Sequence, residues 1–159
     1  MKVLGIDPGY GRVGWAVLEG DQTRQQVVDW GCVETASDAA RAKRLGCVYE
    51  RLEGLVREFR PDEVAVEEIY FFKNQKTVIR VGEARGVILI CMEKLGLPVY
   101  DYTPLQVKLA VTGYGKADKK QVQIMVKSIL QLKEVPKPDD AADAVAVALT
   151  HMFTNKELR

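Results

Sequence analysis

The stretch Val3-Leu4-Gly5-Ile6-Asp7-Pro8-Gly9 decides the fold of this 159-residue chain. Its apolar side chains are typical of a buried β-strand, and Pro8 cannot extend a strand ladder because it lacks a backbone N–H group. The strand is therefore expected to end at Asp7. This places a single carboxylate at the edge of a sheet, beside glycines that permit backbone or ligand to approach closely.

An acid in this position has two common uses and one structural explanation. It is typical of a metal-binding Asp in nucleases of the ribonuclease H type, and of the phosphate loop of actin-like ATPases and sugar kinases. An Asp that merely caps a turn is the third interpretation, because short motifs often match by chance.

The remaining periodicity predicts a mixed α/β fold. Two short, closely connected strands after the first favour an antiparallel meander, and Pro and Gly residues punctuate the helical segments that follow. The pattern predicts strands over 3–7, 13–18, 25–34, 63–69 and 97–100, and helices over 38–59, 77–94, 103–110, 119–132 and 139–153. This order indicates one α/β domain over residues 1–159, with a five-stranded mixed sheet flanked by helices.

Composition limits the class of protein. Hydrophobic residues make up 47% of the chain and charged residues 28%, with no apolar run of membrane-spanning length and no signal-peptide pattern. The three cysteines are widely spaced, as in a reduced cytoplasmic protein. The net charge is only +1, but Lys and Arg concentrate in 71–90 and 101–137, which favours either a phosphate-binding surface or solvated helix faces.

Carboxylates lie at the ends of three predicted elements. Asp7 ends the first strand, Glu67 or its neighbour follows the strand after the first long helix, and Asp140 and Asp143 open the last helix. The last two are three residues apart and therefore share one helix face. Asp139 is the better candidate for the N-cap of that helix, although Asp140 is an alternative. The helix is slim enough to approach a sheet closely because of its small side chains: Ala141, Ala142, Ala144, Ala146 and Ala148.

Such a carboxylate cluster favours a bound metal. Converging acids raise one another's pKa values, and a divalent cation relieves the repulsion. Oxygen ligands select Mg²⁺ or Mn²⁺, and two such ions can clamp the attacking and leaving oxygens of a phosphoryl displacement. The only histidine, His151, lies about 16 Å further along the last helix, so a zinc site and a role in the acidic cluster are both unfavoured.

Taken in order, the motifs resemble the RuvC family, bacterial Holliday-junction resolvases with a ribonuclease H-like fold. Any one motif is weak, but the ordered set spans nearly the whole chain and is highly specific. The matching stretches are Gly5-Ile6-Asp7-Pro8-Gly9, Ala65-Val66-Glu67, Lys73-Asn74, Gly82-Glu83-Ala84-Arg85-Gly86, Gln106-Val107-Lys108, Lys119 with Gln121-Val122, and Asp140-Ala141-Ala142-Asp143-Ala144 followed by Ala148-Leu149-Thr150-His151.

The resemblance implies a divalent-metal-dependent endonuclease that resolves Holliday junctions by paired symmetric nicks in recombination and DNA repair. It implies a catalytic and metal-binding set of Asp7, Glu67, Asp140 and Asp143, and it selects Glu67 over Glu68. Strand alternation agrees, because adjacent strand residues face opposite sides and only one of the two can join Asp7. It further implies Mg²⁺, with Mn²⁺ plausible and two ions per site, a homodimer through the helix at 77–94, and the branch-migration partners RuvA and RuvB.

DNA contacts are expected from an aromatic and basic loop and from scattered cations. The resemblance places Tyr70 next to the junction crossover, where Phe71 and Phe72 either stack on unpaired bases or pack in the core. It also places Lys108 and Lys119 near the cut phosphate, and whether Lys119 or Lys120 faces the DNA stays open. The expected DNA-binding residues are Tyr70, Phe71, Lys73, Arg80, Lys108, Lys119 and Lys120.

Two other functions remain to be weighed. An actin-like ATPase fragment would match the first motif, but those enzymes close two such domains on a nucleotide and no second phosphate loop is present. A junction-binding protein without catalysis would use the basic segments alone, and the intact carboxylate set disfavours it.

Overall fold

The computed structural model describes residues 1–69 and 75–154. No helix within these residues is long and apolar enough to cross a membrane. In chain order the elements are β1 (Lys2–Asp7), β2 (Arg12–Gly20), β3 (Gln25–Glu34), α1 (Arg41–Phe59), β4 (Glu63–Glu67), α2 (Gln75–Lys94), β5 (Val99–Tyr102), α3 (Pro104–Thr112), α4 (Lys119–Ile129) and α5 (Asp139–Phe153).

The strands form one mixed sheet in the order β3-β2-β1-β4-β5. The first three pair antiparallel, as the short connections predict, whereas β4 runs parallel to β1 and β5 runs parallel to β4. Parallel pairing requires a crossover, and α1 and α2 supply the connecting helices. The predicted α/β architecture with a five-stranded mixed sheet is confirmed.

The two faces of the sheet carry different helices because side chains alternate along each strand. Leu4 and Ile6 of β1 pack with Leu52 of α1 and Ile88 of α2 on one face. The opposite face packs against α3, α4 and α5, and Val3 belongs to it. Asp7 and Gly5 share the parity of Val3, so the Asp7 side chain emerges on the α5 face.

Helix α5 lies unusually close to the sheet because both surfaces lack bulk. A Cβ atom added at Gly5 would lie 2.3 Å from the carbonyl oxygen of Ala144, and one added at Gly14 would lie 1.9 Å from the carbonyl oxygen of Asp140. Side chains cannot occupy such positions, so the strand backbones rest directly on the helix. The alanines of α5 are almost fully buried against them.

Several predicted boundaries differ from the observed ones. Helix α1 begins at Arg41 rather than at residue 38, because Ala40 is extended and no side chain caps the helix start. Strand β5 begins at Val99 rather than at 97, because the Leu97 N–H donates to the Met92 carbonyl and completes the turn after α2. Strand β4 ends at Glu67 rather than at 69, α3 runs two residues past Ala110, and α4 ends at Ile129 rather than at 132.

The first residue of α5 also differs from the expected one. Pro138 occupies the N-cap position and forms no side-chain capping bond, whereas Asp139 is already inside the helix. The expectation that Asp139 caps the helix is therefore wrong. Its carboxylate instead contributes negative charge to the first turn, where the helix dipole tolerates it.

The contact at Gly14 gives a direct test of this packing. Replacing Gly14 with Ala should cost about 1–3 kcal/mol of unfolding free energy, because the added methyl group must push α5 away from β2. Gly54→Ala is the matched control, since no atom lies within 4 Å of its added Cβ on α1. That variant should be neutral or up to about 1 kcal/mol more stable. Urea unfolding of both variants and the parent measures these differences in unfolding free energy. Equal stability of Gly14→Ala and the parent would contradict the packing argument.

Candidate active site

Asp7 and Glu67 end neighbouring parallel strands at the same edge of the sheet. Ile6 pairs with Val66 in the register of β1 and β4, so the residues that follow them lie side by side. Glu67 also shares the parity of Ala65, which packs on the α5 face. The two carboxyl groups share a hydrogen bond, and Glu67 rather than Glu68 is the neighbour that raises the pKa of Asp7.

Helix α5 brings Asp140 and Asp143 to this edge. Its first turn rests on Gly14, which pairs with Asp7 in the register of β1 and β2. Both aspartates raise the pKa of Asp7, so the charges of the other three predicted carboxylates all act on Asp7. The structure thus brings the predicted acidic set together at one end of the sheet.

Two lysines lie close to these acids. Lys119 is the first residue of α4, and its Nζ lies 2.7 Å from Oδ2 of Asp143 and 3.8 Å from Oδ2 of Asp139. A capping box fixes the start of α4, because Asp118 and Gln121 each accept the other's backbone N–H at 2.8 Å. Lys108 of α3 reaches the same place. A cleft of about 180 Å³ is lined by Glu67, Pro104, Val107, Lys108, Lys119, Val122, Asp143 and Ala146.

Burial and mutual repulsion favour the protonated forms of three acids in the cluster. Burial raises the pKa of Asp7 well above its usual range, and the charges of Glu67, Asp143 and Asp140 add to the effect. Burial, followed by the charge of Asp143, raises the pKa of Glu67 to about 7. Burial also raises the pKa of Asp143, although its hydrogen bond and charge interaction with Lys119 oppose the rise.

The pKa of Lys119 is also raised, but for a lysine this favours the charged form. Partial burial alone would lower its pKa, but the hydrogen bond and the charge of Asp143 outweigh that effect and raise it. The Lys119 ammonium therefore stays charged and neutralises part of the acidic cluster.

The donor chemistry of the cluster fits a hard divalent cation. All four candidate ligands are carboxylates, the oxygen donors that Mg²⁺ and Mn²⁺ prefer, and a bound cation would relieve the burial and repulsion that raise the pKa values of Asp7 and Glu67. Among residues 1–69 and 75–154, no three His, Cys, Asp or Glu side chains already converge at ligand spacing. Asp143 accepts a hydrogen bond from Lys119, which metal ligation by Asp143 would have to replace or share.

The other predicted contact residues are distributed differently. Tyr70, Phe71, Phe72 and Lys73 lie outside the described residues. Arg80 is exposed near the start of α2, on the opposite face of the sheet from α5. Lys120 is also exposed, and no ion pair joins it to the acidic cluster in the part of the chain that the structure describes.

His151 is excluded from the cluster, as its position along the helix predicts. It is fully buried, its Nδ1 lies 2.7 Å from the Tyr102 hydroxyl, and its Nε2 lies 2.6 Å from Oε2 of Glu63. Glu63 begins β4, whereas Glu67 ends it. His151 therefore joins α5 to the far end of the sheet.

Arg12 is a neighbour of the site that the sequence analysis does not single out. Its Nη1 lies 4.0 Å from Oδ2 of Asp140, and its Nε lies 3.3 Å from Oε1 of Glu34. Strand alternation could have identified it, because Arg12 lies two residues before Gly14 on β2 and so faces α5.

The sheet order, the crossover helices and the edge carboxylates define a nuclease of the ribonuclease H-like class. A family model described as "Crossover junction endodeoxyribonuclease RuvC" matches residues 3–151. The chain belongs to the RuvC family, and the resemblance inferred from the motifs is confirmed. The family consists of metal-dependent nucleases, in agreement with the all-carboxylate donor set.

Named relatives agree over nearly the full chain. A protein of Finegoldia magna named crossover junction endodeoxyribonuclease RuvC is 53% identical over 157 residues, covering 98% of this chain and 95% of that protein. A protein of the same name in Petrotoga mobilis is 52% identical over 151 residues, covering 95% of this chain and 93% of that protein. The structure of T. thermophilus RuvC in complex with Holliday junction substrate has a TM-score of 0.91 and 40% identity, covering 96% of this chain and 93% of that one.

The raised pKa values predict that the metal-free acidic cluster destabilises the fold at alkaline pH. A carboxyl group whose pKa is higher in the folded state stabilises the protein below its unfolded pKa and ceases to do so as pH rises past its folded pKa. For Glu67 that folded pKa is about 7. In EDTA, Glu67→Gln should therefore be about 1–2 kcal/mol more stable than the parent at pH ~8 and nearly equal at pH ~5.

Glu50→Gln is the control, because it removes an exposed glutamate from α1. Denaturant unfolding at both pH values measures the difference. An advantage of Glu67→Gln that did not depend on pH would show that strain or packing, rather than charge repulsion, is the cause. Mg²⁺ should stabilise the parent more than Glu67→Gln.

Proposed function

We propose that this protein is a divalent-metal-dependent crossover junction endodeoxyribonuclease that cuts four-way DNA junctions during recombination and repair. The observation that supports this most strongly is the meeting of Asp7, Glu67, Asp140 and Asp143 at one sheet edge, with Lys108 and Lys119 beside them. Related chains carry the same activity in their names, and one was solved with a Holliday junction substrate.

The four carboxylates would hold the metal, either Mg²⁺ or Mn²⁺ and two ions per site. When bound, the metal supplies an activated water and stabilises the departing oxygen of the phosphodiester. The protein's own contribution begins with the protonation of its acids: the raised pKa values of Asp7 and Glu67 favour a proton on this pair, and both carboxyl groups must be ionised to act as ligands. Helix α5 presents Asp140 and Asp143 as the remaining ligands from a backbone that packs directly on β2.

The lysines would bind the phosphodiester. The Lys119 ammonium now pairs with Asp143, so rotation about its flexible stem could transfer its hydrogen bonds from that carboxylate to a phosphate oxygen. Lys108 lies across the cleft and can contact the same phosphate or its neighbour. Cations at these positions also stabilise the charge that develops on the phosphate during cleavage.

Junction selectivity would require two copies of the chain. A two-fold homodimer presents identical sites to the two symmetric strands and so produces paired nicks. Helix α2 supports such a dimer, because Ile79 is 60% exposed and Ile90 is 49% exposed on its surface. No atom lies within 4 Å of a Cβ added at Gly82 or Gly86, so a second helix could approach there.

The remaining assignments extend this proposal. Residues 1–159 would form one nuclease domain, with Tyr70, Phe71 and Lys73 at the junction crossover and Arg80 on the DNA. RuvA and RuvB would supply migrating junctions, as the family membership implies. The free cysteines Cys32, Cys47 and Cys91 are consistent with the reducing cytoplasm.

Cleavage of a synthetic mobile four-way junction tests the activity. With Mg²⁺ or Mn²⁺ the parent should make symmetric nicks in the junction and none in a duplex of equal length, and EDTA should abolish them. Asp7→Asn should bind the junction but not cut it, because it removes a central metal ligand. Asp38→Asn, which removes an exposed carboxylate from a turn, should cut normally.

Each alternative result has a distinct meaning. Cutting by Asp7→Asn at the parental rate would overturn the assignment of the site. Junction binding by the parent without cutting in any metal would indicate a binding protein, and equal cutting of duplex would remove the junction selectivity.

The two adjacent lysines at the start of α4 give a second test. Lys119→Met should slow cleavage on the order of 10²-fold at saturating metal, since it removes a cation from the cleft where charge develops. Lys120→Met changes the same charge at an exposed position and should stay within a few fold of the parent. Single-turnover cleavage rates distinguish the two lysines. Equal losses in both variants would show that the lysines act only through general attraction to DNA.

A further inference from the structure

Two arginines from different helices lie against one tyrosine ring at the edge of the sheet where Asp7 ends β1. The guanidinium carbon of Arg44, on α1, is 4.0 Å from the centroid of the Tyr10 ring. That of Arg80, on α2, is 5.1 Å from the same centroid. We call Tyr10, Arg44 and Arg80 the Tyr10 cluster.

The two cations of the cluster have no carboxylate partner among the residues that the structure describes. Within residues 1–69 and 75–154, neither Arg44 nor Arg80 forms an ion pair. Two acids of neighbouring segments pair with other arginines: Glu34 with Arg12, and Glu83 with Arg41 through Oε1, while Oε2 of Glu83 is buried. The ring attracts both guanidinium groups, but the two like charges repel each other. An anion placed beside them would therefore be attracted to both.

Hydrogen bonds hold the Arg44 guanidinium in place and leave some of its N–H donors available. Its Nε donates to Oγ1 of Thr35 at 2.9 Å, and its Nη2 donates to the Tyr10 carbonyl at 3.4 Å. A guanidinium carries about five N–H groups, so others remain available to a ligand. Gly11 has no side chain to cover the Arg44 guanidinium, since a Cβ added there would lie 3.5 Å from Nη2.

The cluster is close to the acidic site but on the other face of the sheet. Tyr10 follows Asp7 by three residues, so their Cα atoms are at most about 11 Å apart. Arg44 and Arg80 come from the first two turns of α1 and α2, which cover the face opposite α5. A DNA strand whose phosphate enters the acidic site can therefore extend over the cluster within a few nucleotides.

We propose that the Tyr10 cluster binds the phosphodiester backbone of the strand being cut, a few nucleotides from the cleaved bond. This inference rests on the proposed nuclease function and adds a phosphate-binding site to it. The guanidinium groups donate paired hydrogen bonds to phosphate oxygens, and the Tyr10 ring fixes their positions. The contact reads no base, so it sets the register of the strand and not a sequence preference.

The salt dependence of junction binding tests the arginines. The slope of log K against log salt changes by about 0.9 for each phosphate that the protein no longer neutralises. In EDTA, the double variant Arg44→Gln/Arg80→Gln should lower the magnitude of this slope by about 1–2 and weaken binding at least tenfold at low salt. Arg51→Gln is the matched control, an exposed arginine of α1 outside the cluster, and should leave the slope unchanged.

Two substitutions of Tyr10 test the role of the ring. Tyr10→Leu keeps both cations but removes the surface that positions them, so binding should weaken several fold and the cut should spread over neighbouring phosphodiesters. Tyr10→Phe retains the ring face and should restore both affinity and a single cut position. The melting temperature is the control for folding, and it should stay near the parental value in all variants.

The outcomes separate this inference from the proposed function. If the parent cuts junctions but the double variant has the slope and affinity of Arg51→Gln, the phosphate site is wrong and the nuclease assignment stands. If the parent binds without cutting while the slopes differ as expected, the nuclease assignment fails and the phosphate site stands. A parent that does not bind junction DNA would overturn both.

Discussion

Direct backbone contact between α5 and the first two strands is the constraint on which the site depends. Gly5 and Gly14 leave no room for a side chain, and the alanines of α5 add almost no bulk of their own. The helix start is thereby fixed against the end of β1, which places Asp140 and Asp143 beside Asp7. Larger residues at this contact would give an equally hydrophobic interior, but the carboxylates would lie too far apart to share a ligand.

The same contact concentrates charge that the fold alone does not stabilise. Burial and repulsion raise the pKa values of Asp7, Glu67 and Asp143, and Lys119 compensates for only part of the negative charge. Such a cluster lowers the stability of the metal-free protein, and a structural role would be served better by uncharged residues. Retention of all these acids at one edge therefore favours a function that needs them ionised together, as metal binding does.

Much of this arrangement could be predicted from sequence because it depends on local rules. Pro8 ends β1 after Asp7, and three-residue spacing puts Asp140 and Asp143 on one helix face. Strand alternation lets only one of Glu67 and Glu68 face Asp7, and the family resemblance identifies it as Glu67. The choice between Lys119 and Lys120 could not be predicted, since it depends on the direction in which α4 leaves its capping box. The Tyr10 cluster could not be predicted either, because its cation–π contacts join segments that are more than 30 residues apart.

In the proposed nuclease, substrate and metal would bind to this site interdependently. An incoming phosphodiester adds negative charge to a cleft in which the pKa values of Asp7 and Glu67 are already raised, and the positive charges of Lys108 and Lys119 are too few to balance four carboxylates and a phosphate. Without a divalent cation, the phosphate is repelled from the acids and attracted to the arginines around Tyr10. With one, the balance at the sheet edge reverses. In the proposed nuclease, the Tyr10 cluster would anchor the strand, while the charges of the lysines and the carboxylates would decide when the phosphate can enter.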